Sequence, residues 1–267
     1  MEYFYKVGEK AAFCGQEAKV LKTGVTSAAE PKYYCEVGPA SLPMWVPESH
    51  LSARSGDAVA VFNTRRPHVL VVDGFYKNPD AIRSIALEQE YEANNKIYKG
   101  KRTKENFLFP YVREEFERLL HGTITDWLNQ PANGCFQITG FDDPLVYHSD
   151  SQTYADAVYL TPDAPISAGT SFWRNKDTHC RRPVDHPLEY ERFSDDDARK
   201  KAYDETYSEF NITHQDNWEL VDKVGPVYNR LTLWDAKLIH SASSYEGLES
   251  GDASKARLVQ LFFFNIQ

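Results

Sequence analysis

Leu145-Val146-Tyr147-His148-Ser149-Asp150, followed closely by Tyr154-Ala155-Asp156-Ala157-Val158-Tyr159-Leu160, reads as two short strands separated by a polar break. The second run is almost wholly apolar or aromatic, which suits a strand covered on both faces. In the first, His148 and Asp150 stand at i and i+2. A strand would turn that imidazole and that carboxylate to one side. Further strand signals flank the pair. Cys135-Phe136-Gln137-Ile138-Thr139 precedes it, and Thr170-Ser171-Phe172-Trp173, Arg230-Leu231-Thr232-Leu233-Trp234-Asp235 and Arg257-Leu258-Val259-Gln260-Leu261-Phe262-Phe263-Phe264 follow. Asp-Asp-Pro and Pro-Asp-Ala-Pro turns divide them.

Upstream, Val69-Leu70-Val71-Val72-Asp73-Gly74-Phe75 reads as a buried strand. Asn78-Pro79-Asp80 then opens a helix over 78–90, with a capping residue, Pro in the first turn and apolar Ile82, Ile85, Ala86 and Leu87 at helical spacing. A second amphipathic helix is expected over 112–128, with Phe116, Leu119, Leu120, Ile124 and Trp127 on one face. Helices followed by many short strands predict an α+β fold, mainly β, with a double-sheet core. A polar block at about 175–217 interrupts the strand series and reads either as a lid over substrate or as a solvated decoration. It contains a helix opened by Ser194 and the acidic Asp195-Asp196-Asp197. Another helix is expected at 218–224.

The first 55 residues read as a separate small β unit. Its candidate strands are 11–14, 18–22, 32–37 and 44–47, with Gly8, Gly15, Gly24, Gly38-Pro39 and Pro43 as turn residues. Short strands in so little chain suggest an SH3-like β-barrel over 1–55, either a partner-binding module or a structural appendage. Residues 52–57 read as a linker, and 66–267 as the main domain.

Hydrophobic residues make up 42% of the 267 positions and charged residues 26%, enough for a sizeable core and against wholesale disorder. Asp+Glu outnumber Lys+Arg by 39 to 30, for a net charge of -9. An acidic chain without a basic stripe argues against nucleic acid and anionic membrane surfaces as partners. No apolar run approaches the roughly 20 residues of a membrane span, and Met1-Glu2-Tyr3-Phe4-Tyr5-Lys6 lacks the order of a signal peptide. The four cysteines are scattered, without a C-x-x-C pair, which fits a reducing cytoplasm.

The chemistry-bearing pattern is His148-Ser149-Asp150 with His240 as a third candidate ligand. Two histidines and one carboxylate on one face of an octahedron leave three positions open, as non-haem Fe(II) oxygenases require. The H-x-D pattern recurs at His214-Gln215-Asp216. The interval from 148 to 240 has room for several strands, whereas that from 214 to 240 is too short to cross a barrel and return. The first copy is therefore the preferred ligand set. His50, His68, His121, His179 and His186 read as surface or hydrogen-bonded residues.

Taken in order, Tyr147-His148-Ser149-Asp150, Tyr154 to Thr161, Gly169-Thr170-Ser171-Phe172, His240 and Arg257-Leu258-Val259 resemble the Fe(II)/2-oxoglutarate-dependent dioxygenases, nearest to their prolyl-4-hydroxylase-like branch. The resemblance covers roughly 68–267 and implies a double-stranded β-helix, or jelly roll. It implies that His148, Asp150 and His240 bind iron and that Arg257 pairs with the distal carboxylate of 2-oxoglutarate, a task suited to a planar, permanently charged fork. The gap between His240 and Arg257 is longer than the family's usual one and implies a loop around 246–252. The family's tyrosine on the strand before H-x-D is missing, and Gln137 or Thr139 is the candidate for its place. Asp150 implies hydroxylation or a related oxidation rather than halogenation.

The activity so implied is oxidation of a C–H bond using Fe(II), 2-oxoglutarate and O2, with release of succinate and CO2. Substrate classes left open are amino acids, peptides, protein side chains and small natural products. Trp173, Arg174 and Asn175 are candidate substrate contacts, to be weighed against core packing. The alternatives are a non-enzymatic partner-binding protein acting through the N-terminal barrel, with an inactive jelly-roll scaffold, and a cupin-type metalloenzyme that needs no 2-oxoglutarate.

Overall fold

Strand signals in the first fifty residues and those beyond residue 67 form separate sheets in two units, Met1–Arg66 and Pro67–Gln267. The computed structural model describes residues 10–13, 16–25, 31–37, 44–47, 52–53, 67–93, 100–190, 192–208 and 211–267. Cys14, the turn at 38–43 and linker positions 54–57 lie outside the described residues.

In the first unit, β1 (Lys10–Phe13), β2 (Gln16–Val25), β3 (Pro31–Val37), β4 (Met44–Pro47) and β5 (Ser52–Ala53) form an antiparallel sheet in the order β4-β3-β2-β1-β5. Val20 and Cys35, directly opposite across β2 and β3, are buried. Ser52 and Ala53 were expected in the linker. They pair with Ala12 and Ala11 instead, extending the sheet beyond β1.

The second unit begins with β6 (Val69–Val72) and α1 (Pro79–Leu87), whose Asn78 side chain accepts from the Ala81 amide. β7 (Tyr91–Ala93), β8 (Lys101–Thr103) and α2 (Pro110–Leu120) follow. Next come β9 (Phe136–Thr139), β10 (Tyr154–Tyr159) and β11 (Thr170–Asn175). The polar block carries α3 (Pro187–Tyr190) and α4 (Asp196–Thr206), the latter capped by Asp195 rather than Ser194. The chain closes with β12 (Trp218–Val224), β13 (Leu231–Asp235), β14 (His240–Ala242) and β15 (Arg257–Phe264). These strands form a seven-stranded sheet, β6-β13-β10-β15-β9-β8-β7, and a three-stranded sheet, β12-β11-β14.

Alternation on the large sheet divides the core. Phe136, Ile138, Leu231, Leu233, Leu258, Phe262 and Phe264 face α1 and α2, where Phe116 is wholly buried among Phe75, Trp127, Phe262 and Phe264. The opposite face presents Ala155, Ala157, Tyr159, Trp234, Val259 and Leu261, packed with Phe172 of the small sheet. This second, inner face is where the site is built.

Three expected elements differ. The helix expected over 112–128 stops at Leu120, where His121 takes a left-handed conformation (φ 50). Beyond it the Thr123 and Thr125 amides bond to the Gln267 and Asn265 carbonyls, pairing that a continuing helix would forbid. Trp218–Val224, expected as a helix, is a strand along β11, because the chain returning from the polar block brings Trp218 opposite Asn175. The run 145–148, expected as a strand, is irregular. Its amides serve different partners: Tyr147 bonds to Ile212 and His148 to His240.

Gly169 sits where β11 meets β12, and a Cβ there would collide with the Val224 carbonyl. Asp156 lies on the helix-facing side of β10, fully buried, with no hydrogen-bond partner for either carboxyl oxygen. Burial pushes its pKa well above the usual carboxylate range.

Two stability predictions follow from this packing. Phe116→Ala removes an aromatic wedge touching both sheet and helices and should destabilise the unit by about 3–5 kcal/mol, measured by denaturant unfolding. Asp156 is protonated in the fold but ionises in the unfolded chain above about pH 4. The stability contributed by Asp156 should therefore be full below about pH 4 and decline as pH rises towards the raised pKa. Asp156→Asn should melt higher than wild type at pH 8, with the advantage shrinking towards pH 5. An advantage independent of pH would contradict this assignment.

Candidate metal centre

The second unit brings the two histidines of the candidate ligand set together through their own backbones. The His148 amide donates to the His240 carbonyl (3.1 Å) and the His240 amide to the His148 carbonyl (2.8 Å). β14 is in turn held by β11, with Phe172 opposite His240. Asp150 is fixed by its amide, which donates to the Ala236 carbonyl at the end of β13 (2.8 Å). Lys237 braces the same turn by donating from Nζ to the Asp150 and Ser151 carbonyls.

Each imidazole is oriented by a local bond. Nδ1 of His148 lies 3.0 Å from the Val146 carbonyl, and Nδ1 of His240 lies 2.8 Å from the Leu238 carbonyl. A carbonyl only accepts, so both Nδ1 atoms carry the proton and both Nε2 atoms present lone pairs. These Nε2 atoms face Asp150, at 3.8 Å from His148 to Oδ1 and 3.3 Å from His240 to Oδ2. All three ligand atoms lie within 4.8 Å of one another, and among the described residues no other group of three forms such a cluster. Asp150 Oδ2 is buried and has only His240 Nε2 facing it.

Two nitrogen lone pairs and a carboxylate converging in this way repel one another unless a cation lies between them. The donor set, borderline nitrogen plus hard oxygen, suits a first-row divalent metal. Electrostatics agree. Burial acts to raise the Asp150 pKa, but a hydrogen bond from His240 when protonated, together with the charges of the two imidazoliums and of Arg102, outweighs it and holds the carboxyl at about 2. Partial burial and the facing His240 ring lower the pKa of His148, keeping it neutral and able to ligate. The His148 side chain is 45% exposed and the His240 side chain 6%, so the cluster opens on the His148 side.

Arg257 opens β15 on the inner face and is buried, 5% exposed. Its Nε donates to the Ala168 carbonyl (2.9 Å), and its guanidinium lies 5.3 Å from the Tyr159 ring centre. Among the described residues no carboxylate pairs with it. Thr139 lies directly across the ladder, with a buried hydroxyl. Tyr245, on the loop after β14, brings its phenol beside both. Burial raises its pKa and the Arg257 charge opposes the rise. A buried cation with two hydroxyl neighbours is a receptor for a carboxylate.

The remaining candidates are placed elsewhere. Gln137 lies on the inner face, but its Oε1 accepts from Arg102 Nε (2.6 Å) rather than turning to Arg257. Trp173 packs edge-on against Tyr147 and donates to Ser241 Oγ, bracing β14 from the side away from the cluster. Arg174 pairs with Glu219 of β12, and buried Asn175 accepts from the amides of Asp177 and Thr178 in the following turn. The contacts of these three are thus spent within the small sheet and its turn. His214 caps a short helical turn. Sequence reasoning missed Arg102, Tyr245 and the supporting Lys237. Arg102 lies in the basic run Lys101-Arg102-Thr103-Lys104, which reads as an ordinary solvated edge, and only the strand register places it inside.

A family model, the family of unknown function DUF6445, matches residues 137–264. No curated protein matches the chain. Similar solved structures include HygX from Streptomyces hygroscopicus with nickel, 2-oxoglutarate and hygromycin B bound, at 16% identity over 79% of this chain and 86% of that one, TM-score 0.42. The Fe(II)/α-ketoglutarate-dependent dioxygenase TqaL is similar at 14% identity over 77% and 84%, TM-score 0.36. An N-substituted L-amino acid dioxygenase from Burkholderia ambifaria AMMD is similar at 11% identity over 84% and 89%, TM-score 0.35.

Divalent metal binding separates the two H-x-D copies. Mn(II) titration by calorimetry should show one site in the wild type and in His214→Ala, and loss of that site in His148→Ala and His240→Ala. Loss in His214→Ala instead would move the centre to the second copy.

Proposed function

We propose that the chain is a non-haem Fe(II)- and 2-oxoglutarate-dependent dioxygenase of the prolyl-4-hydroxylase-like branch, built on a double-stranded β-helix at about 66–267. It would hydroxylate a C–H bond of an amino acid, peptide or small natural product. One observation carries this reading: a three-donor cluster beside β14 of the small sheet accompanies a buried arginine on the inner face of the large sheet that, among the described residues, has no carboxylate partner.

The residues present fit both groups. His148 Nε2, His240 Nε2 and one Asp150 oxygen would hold Fe(II) on one face, and the exposed His148 side leaves room for further ligands. Arg257, with Thr139 and Tyr245 beside it, would take the distal carboxylate of 2-oxoglutarate. Bound together, iron and 2-oxoglutarate supply the oxidising chemistry, in which R–H, O2 and 2-oxoglutarate become R–OH, succinate and CO2.

The protein's part is orientation and exclusion. The Nδ1 bonds to Val146 and Leu238 fix both rings, so little reorganisation accompanies metal entry. Lys237 anchors the turn carrying Asp150 without entering the cluster. Arg257, buried beside the Tyr159 ring, would bind an anion more tightly than an exposed arginine. Ala155, Ala157 and Trp234 keep this face apolar, leaving bulk water few partners near the reacting bond.

The five-stranded antiparallel sheet of the first unit supports an SH3-like barrel, which would serve either as a partner-binding module or as a structural appendage. Among the described residues no helix is long and apolar enough to cross a membrane, and Cys35, Cys135 and Cys180 are free and buried, which supports a cytoplasmic setting.

Anaerobic addition of Fe(II) and 2-oxoglutarate should produce a weak visible charge-transfer band, absent in His148→Ala. Arg257→Gln should weaken 2-oxoglutarate binding by about 10- to 100-fold while leaving Mn(II) affinity near wild type, since a charged hydrogen bond contributes about 1.5–3 kcal/mol. A metal site that forms normally yet shows no response to 2-oxoglutarate would leave the cupin-type alternative standing.

A further inference from the structure

Arg182, in the polar block, is a buried arginine to which the function above gives no task. Its anionic partner is Asp235, the last residue of β13. Nε and Nη2 both donate to Asp235 Oδ2, at 3.1 and 3.0 Å, and Nη2 also stands 2.9 Å from Nδ1 of His68, just before β6. A guanidinium only donates, so His68 Nδ1 accepts. The other oxygen of the carboxylate is engaged as well: Asp235 Oδ1 accepts from the Lys237 amide (3.0 Å). Asp235 opens the turn 235–239 that leads into β14, and this turn handles two of the three candidate ligands. The Ala236 carbonyl takes the Asp150 amide, and the Leu238 carbonyl takes Nδ1 of His240, each at 2.8 Å. At the far end of the turn the Ile239 amide donates to the Arg181 carbonyl (2.8 Å). Residues 181 and 182 thus grip the turn at its two ends, one through backbone and one through side chain. Between the grips stand the two carbonyls that aim Asp150 and His240.

We propose that Arg182 is a positioning residue for the metal centre, acting through Asp235 to fix the turn 235–239 and, with it, the Asp150 carboxylate and the His240 imidazole. The proposal rests on the metal-centre reading above and gives this part of the polar block a task in building the site.

Three features favour this role over that of an ordinary ion pair. The pair is shielded, with the Arg182 side chain 8% exposed and that of Asp235 21%, so solvent and salt screen it little. The fork is held at three points, two on Asp235 and one on His68, so its plane is fixed and the carboxylate it grips cannot swing. The turn itself is short and non-repetitive, and its one long side chain, Lys237, is committed to the Asp150 and Ser151 carbonyls. A buried ion pair adds little net stability on its own account. One that sets the carbonyls next to two metal ligands limits how far the donors drift apart, which is the work of groups that orient a ligand set from behind.

The test uses the full chain and needs neither substrate nor 2-oxoglutarate. Calorimetry gives Mn(II) affinity, the visible absorption of added Co(II) reports the geometry around the ion, and urea unfolding of the metal-free protein gives the folded fraction. The variants are Arg182→Met, Asp235→Asn and the two combined. Asp235→Asn is close to isosteric and keeps Oδ1 for the Lys237 amide, so it carries the test if Arg182→Met fails to fold. Each single variant should bind Mn(II) about 10- to 100-fold more weakly than wild type, with altered Co(II) bands. The double variant should be no weaker than the weaker single, because both changes break one link. Arg182→Lys, keeping charge but not the fork, should fall between. Arg118→Met, which breaks the exposed pair with Glu115 on α2, should bind as wild type does. Wild-type affinity and Co(II) bands in a folded Arg182→Met or Asp235→Asn, losses that add in the double variant, or a weakening explained wholly by a smaller folded fraction would overturn the proposal. Absence of Mn(II) binding in wild type would instead reject the metal centre beneath it.

Discussion

The reciprocal pair of backbone hydrogen bonds between His148 and His240 is the interaction on which the site depends. It is a single bridge rather than a ladder, flanked by chain whose amides go elsewhere, Tyr147 to Ile212 and Asp150 to Ala236. This economy lets one imidazole and one carboxylate, two residues apart on an irregular segment, converge on a point that a third residue reaches from a true strand. A regular strand at 145–150 would spend the same amides in an unbroken row and would bring Asp150 less freely towards Ala236.

β15 organises everything else. Its outward residues Leu258, Phe262 and Phe264 weld the large sheet to α1 and α2, and its inward residues Arg257, Val259, Leu261 and Phe263 form the floor of the site. Core and site thus share one strand. Burying a guanidinium at its head is tolerable because Ala168 takes one N–H and the Tyr159 face lies under the charge. Asp156 on the neighbouring β10 solves the opposite problem by staying protonated among helix-facing apolar groups. The two ionisable groups, a few residues apart in the ladder but on opposite faces, show that each face of this sheet has its own dielectric character.

Much of this is legible in the amino-acid order, for physical reasons. The strands at 136–139, 154–159, 231–235 and 257–264 announce themselves because burial on both faces leaves few polar residues in them. His148, Asp150 and His240 are readable because metal chemistry restricts residue type, and their convergence follows once the strands are placed. What stays hidden depends on tertiary pairing. Residues 218–224 have no period that distinguishes a helix from an edge strand, and only the return to Asn175 decides. Ile124 and Trp127 keep helical spacing and are buried, yet the backbone there is taken by residues 265–267. Arg102 looks like one more surface cation until β8 is set beside β9. Trp173 shows the converse: a conspicuous aromatic next to a recognisable motif whose position behind β14 makes it a brace.

The bond from Tyr147 to Ile212 has a mechanical meaning. Ile212 belongs to the polar block between β11 and β12, so that block is wired in series with the segment bearing His148. Excising it would orphan the Tyr147 N–H and unfasten the stacked Tyr147–Trp218 rings beneath it. Diversification of that excursion among related chains would therefore tug on His148 as well as reshape the surface, so loop evolution here would be constrained from within.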